Sequence, residues 1–196
     1  MLLEHRVSIF TSLNTEPGLV PGFAFLEVNM VDYFSPTVIP EIIPNADMTK
    51  LELLLLSHMF DADSDGDGTY FHSWQGPSDL IWVDHAELVA ALDEARGSDS
   101  QVRGYVEKKL KNATSDDDTI ELDMSGMPWE VILQDIVRRS AKLRYITVTT
   151  AFTCSKMRDD GFGGMALFIT ADAIKACSTT EFLSDCLADI AGYEGG

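Results

Sequence analysis

Asp61, Asp63, Asp65 and Asp67, in the stretch DADSDGDG at 61–68, are the residues whose type and spacing best suit chemistry. Carboxylates at every second position can chelate a hard cation, hold metal ions for phosphoryl chemistry, or display a row of negative charge. These three uses need different surroundings, and the neighbouring residues discriminate between them.

The stretch resembles the first half of an EF-hand calcium loop, D-x-[DN]-x-[DN]-G-x5-E. Asp61, Asp63 and Asp65 fall on its first three ligand positions and Gly66 on its sharp turn. The match fails further on. His72 stands where a bidentate glutamate is needed, Gly68 replaces an aliphatic residue, and Ser73–Pro77 (SWQGP) is a poor exiting helix. Calcium held by Asp61, Asp63 and Asp65 is therefore the alternative reading, and an acidic turn after a helix is the preferred one.

A metal-dependent hydrolase built on Asp61–Asp67 or Asp116–Asp118 is less well supported. Between residues 61 and 100 only Arg96, His72 and His85 could handle charge there. DDGFGG at 159–164 lacks the order of a phosphate-binding loop and reads as a hairpin turn. The four histidines have no H-x3-H spacing, and no nucleophile-elbow sequence occurs. Cys154, Cys177 and Cys186 form no CxxC pair; Cys186 falls on an apolar helical stripe and is expected in the core. No catalytic residue and no cofactor are expected, so the chain reads as non-enzymatic.

Charge supplies the third use. The chain has 32 acidic and 14 basic residues, a net charge of −18. Residues 61–100 carry ten of the acids and one of the bases, so half the excess sits in forty residues. Such a field repels nucleic acid and anionic membranes and attracts basic surfaces. In composition the chain resembles small acidic phage and plasmid proteins that inhibit restriction or CRISPR systems by mimicking DNA. That likeness implies a basic, nucleic-acid-binding protein as partner, with Asp61, Asp63, Asp65, Asp67, Asp93 and Glu94 as contact residues. A homodimer, joining a basic helix end to the acidic patch, is a further option.

The elements that must position these residues follow from periodicity and caps. Val7–Ser12 and Gly22–Asn29 read as extended segments, and Pro36, Pro40 and Pro44 mark a loop over 35–45. Thr49 and Glu52 have capping-box spacing and open an apolar helix that ends at Phe60. Leu80–Val83 reads as a strand, followed by a helix from Asp84 to Arg96 that stops at Gly97, and another over 99–112. A strand over 119–124 precedes a helix over 128–143 with Trp129, Ile132, Leu133, Ile136 and Leu143 inward. Tyr145–Phe152 and Gly164–Thr170 suit an antiparallel pair, a short helical turn follows Thr170, and Ser178 with Glu181 caps a last helix. The expectation is a single α+β domain of about five helices with a mixed or antiparallel sheet, divisible at most near 97–115. No apolar run is long enough to span a bilayer, so a soluble, cytoplasmic protein is expected.

Overall fold

The computed structural model describes residues 31–111, 118–158 and 160–193. The strands expected at Val7–Ser12 and Gly22–Asn29 lie outside the described residues, as do Asp116, Asp117 and Asp159. What is described is an α+β fold whose sheets are antiparallel throughout.

Thr49 caps α1 (Lys50–Met59) through the full reciprocal box, accepting from Glu52 N–H at 3.1 Å while Glu52 accepts from Thr49 N–H at 2.8 Å. Leu51, Leu55, Leu56 and Met59 on this helix are buried, as its apolar content requires. Two short strands enter before it, β1 (Tyr33–Phe34) and β2 (Thr37–Pro44), and two follow, β3 (Asp61–Asp65) and β4 (Gly68–Ser73). Next come β5 (Leu80–Asp84), α2 (His85–Glu94), α3 (Gln101–Leu110), β6 (Thr119–Asp123) and α4 (Trp129–Arg139). The chain closes with β7 (Tyr145–Cys154), β8 (Gly163–Thr170), β9 (Ile174–Ser178) and α5 (Thr179–Tyr193).

The main sheet runs β3-β4-β2-β7-β8-β9, with β1 also on β7. Its inward side chains, among them Ile39, Ile43, Phe71, Ile146, Val148, Leu167 and Ile169, are buried in one core with α1 and α4. Phe60 joins the layers, meeting Phe71 and Trp129 edge-on with centroids 6.2 and 5.3 Å apart. The antiparallel pair β5–β6, whose strands are separated in the chain by α2 and α3, forms a second, two-stranded sheet, whose Ile81, Val83, Ile120 and Leu122 enter the same core beside those helices.

Three expectations need correction. Residues 37–44 are a central strand and not a loop. Pro40 is tolerated because the ladder to β7 covers only Thr37 and Val38, and the register to β4 shifts between Ile39 and Ile43. The Glu41 carboxylate then accepts the Thr147 N–H at 3.0 Å, standing in for the missing main-chain partner. Second, 174–178 is the strand β9, with Cys177 on it, where only a helical turn was expected after Thr170. Third, Cys186 is exposed, as are Phe182, Leu183, Leu187 and Ile190 beside it on α5. A stripe of apolar residues specifies a helix face but not what covers it.

Periodicity also misses the polar network that ties the helices together. Glu52, fully buried, accepts from Arg139 and from Ser100 Oγ, while Arg139 donates to the Asp99 carbonyl at 2.8 Å. Asp135, equally buried on α4, accepts the Gln101 N–H at 2.7 Å and so caps α3 from outside its own segment. Arg138 and Arg139, in the last turn of α4, do more than complement its dipole, since they neutralise these two acids. Replacing Arg139 with Met should leave Glu52 buried without its counter-charge and destabilise the fold by about 3 kcal/mol. Urea unfolding measures this; a loss within about 0.5 kcal/mol, the scale of ordinary surface substitutions, would show that the pair carries no such weight.

Candidate functional site

DADSDGDG is a β-hairpin. Asp61–Asp65 pairs residue for residue with Gly68–His72, from Asp61 opposite His72 to Asp65 opposite Gly68. Only Gly66 and Asp67 remain to turn the chain. Gly66 has φ of 57°, while no described non-glycine residue has positive φ, so the first turn residue alone is left-handed, as in a type II′ turn. Gly68 is required for another reason. A Cβ there would lie 2.6 Å from Ile42 Cγ2 and 2.9 Å from the Ile43 carbonyl oxygen, so the hairpin closes on β2 only without a side chain. Asp67 fixes the turn from the other side, its carbonyl accepting the Asn45 N–H at 3.0 Å.

Aspartate is a poor strand former, and the expected acidic turn is overruled by pairing with an aromatic neighbour strand. The consequence is geometric. Alternate residues of a strand share a side, so Asp61, Asp63 and Asp65 form a row at intervals of roughly 7 Å on an edge strand with every residue exposed. His72 lies among them, its Nε2 3.1 Å from Asp63 and its Nδ1 3.9 Å from Asp61, stacked on Tyr70 with centroids 5.2 Å apart. Asp61 and Asp63 thus face an imidazole, whereas calcium takes about six to eight oxygen ligands around one centre. Among the described residues no group of three acid, histidine or cysteine side chains is placed to hold a metal ion.

Asp93 and Glu94, the other expected contacts, are placed elsewhere. Asp93 pairs with Arg96 at 2.6 Å and Glu94 with Lys50 at 2.7 Å. Lys50 opens α1 whereas Asp61 follows its end, so about 15 Å of helix separates Glu94 from the row. The acid-rich segment 61–100 therefore folds into a displayed row and a set of locally paired acids.

A second display surface was missed. On the outward side of the β5–β6 pair, Trp82 lies opposite Glu121 and Leu80 opposite Asp123. Trp82 is 55% exposed between acids, a setting that favours a cation over its ring. Ser125 donates its hydroxyl and N–H to Asp123 and, with Lys109 nearby, holds that carboxyl below the usual range. The signal was present in the alternation of LIWVD and TIELD, but their pairing across the intervening residues 85–118 was not. Glu130, at the start of α4, behaves oppositely: burial, with Asp79 close by, raises its pKa.

No family model matches the chain, and neither does any curated protein or solved structure. The class is defined by the fold and surface alone: an antiparallel α+β unit carrying an acidic hairpin on its sheet edge.

Two outcomes follow from these placements. Gly68→Ala should force Ile42 or the β2 main chain to shift, at a cost of about 1–3 kcal/mol in urea unfolding; an unchanged midpoint would contradict the close approach. For Glu130, the folded protein binds the carboxyl proton more tightly than the unfolded chain. Its contribution is complete below the ordinary glutamate pKa and is lost as pH rises through the native one. Glu130→Gln should therefore be more stable than the parent near neutral pH, with the gain shrinking in acid. Equal gains at both pH values would refute this assignment.

Proposed function

We propose that this protein is a non-enzymatic acidic binder that occupies the nucleic-acid-binding surface of a basic protein and blocks it. The observation that carries this reading is the row Asp61, Asp63 and Asp65 on the exposed edge strand, with Asp67 at its turn. The interval of roughly 7 Å between like-facing strand residues is of the same order as the spacing of successive phosphates along one nucleic-acid strand. A row held by a paired backbone is pre-organised, so a partner's lysines and arginines meet it without first ordering it. The overall charge of −18 steers such a partner in and makes association fall steeply with salt.

An inhibitor of restriction or CRISPR enzymes carried by a phage or plasmid is the specific form of this proposal. In that form Asp61, Asp63, Asp65 and Asp67 lead the contact, and Asp93 and Glu94 contribute only by exchanging Arg96 and Lys50 for partner cations.

The decisive experiment is capture of partners from the native cell at low and high salt, repeated with Asp61→Lys, Asp63→Lys and Asp65→Lys combined. A specific nucleic-acid-binding protein should be retained by the parent at low salt and lost with the reversed row. Retention of the same protein by the reversed row would refute the assignment, and so would a captured partner that still binds its nucleic acid at saturation.

A further inference from the structure

Helix α5 presents apolar residues to solvent along its length: Phe182 is 59% exposed, Leu183 59%, Leu187 67% and Ile190 61%. All fall on one stripe centred on Cys186. The start of the helix is tied down among the described residues, where Ser178 Oγ accepts the Glu181 N–H at 3.0 Å and Thr179 Oγ1 accepts the Gly164 N–H at 3.1 Å. A free helix of fifteen residues is marginal in water, and helices are held in proteins by burying one face. The stripe is therefore built to be covered.

Charge decides by what. Glu181, Asp185 and Asp189 recur every fourth residue and line one border of the stripe, and Thr179–Tyr193 contains no lysine or arginine. A second copy packed antiparallel about a two-fold axis would set this acid border against itself, in a chain already at −18. A parallel copy would set it against Thr180, Ser184 and Ala188, with nothing gained. A helix with leucine-like residues on one face and lysine or arginine along one flank satisfies both the stripe and the border.

We propose that α5 is a docking helix for a basic amphipathic helix of a partner protein, a surface separate from the Asp61–Asp65 row. It shares with the proposed function the expectation of a basic partner, but its surface is different, so the two can fail independently.

The probe is a labelled synthetic peptide of about 20 residues, leucine and lysine in amphipathic helical order, titrated against the full chain by fluorescence anisotropy. A leucine–glutamate peptide of the same order is the control. Binding of the lysine peptide should weaken at least about tenfold with Leu187→Asp and hold with Asp61→Asn, Asp63→Asn and Asp65→Asn combined. Reversing the border with Asp185→Lys and Asp189→Lys leaves the apolar stripe intact and should transfer preference to the glutamate peptide. That second variant answers the objection that Leu187→Asp merely melts the helix.

Equal binding by the parent and the border-reversed protein would overturn the proposal. Loss of peptide binding in the hairpin variant alone would overturn it too, while leaving the acidic row as the contact. A dimer in sedimentation that Leu187→Asp dissolves would assign the stripe to a second copy instead. A photo-cross-link from position 187 to the chain's own residues 1–30 would assign it to that segment.

Discussion

The fold depends on how two buried acids at the ends of helices are neutralised. Glu52 is fully buried on the first turn of α1, and its carboxylate gathers Thr49 N–H, Ser100 Oγ and the Arg139 guanidinium. Asp135, one turn back on α4, takes the first N–H of α3 and the Arg138 guanidinium. A buried carboxylate without partners costs several kcal/mol, so the N-termini of α1 and α3 must stay at the C-terminal end of α4. That junction sets where α1 begins, and the ten-residue helix carries the chain from there to the sheet edge. The edge strand begins two residues after α1, so the displayed aspartates are positioned by an acid that is never displayed.

Net charge alone does not describe this protein, because its acids do distinct work. Glu52 and Asp135 are consumed by the interior, Asp84 caps α2, and Glu41 completes a broken ladder. Asp93 and Glu94 are matched by cations beside them. Asp61, Asp63 and Asp65 face water from an edge strand, where like charge also prevents a second sheet from pairing onto the row. A surface that deters strands and attracts cations needs no feature beyond this one.

Exposed apolar groups are similarly sorted. Trp82 is framed by Glu121 and other acids on the β5–β6 strand pair, and the α5 stripe is bordered by Glu181, Asp185 and Asp189. In each case apolar surface and negative charge adjoin, which is the complement of a cationic amphipathic surface. The acidic row, the framed tryptophan and the bordered helix thus present related chemistry from different elements.

The local elements were legible in the residues themselves. Thr49 and Glu52 announced α1, Asp84 and Glu87 announced α2, and the β-branched run Tyr145–Phe152 announced β7, because caps and short-period patterns act within a few residues. Composition likewise showed that the acid excess is concentrated in 61–100. Tertiary structure decided the rest. Residues 37–44 became a strand despite three nearby prolines, since neighbours on both sides pair only where proline permits. The aspartates became a row rather than a loop, since β4 supplied a ladder that aspartate's own preference would not. Asp93 and Glu94 lie away from the row because α2 packs beside the start of α1, where Lys50 meets Glu94 across 44 residues of sequence. Whether a charge is buried, matched or displayed depends on contacts between distant segments, and pattern within a segment carries no record of them.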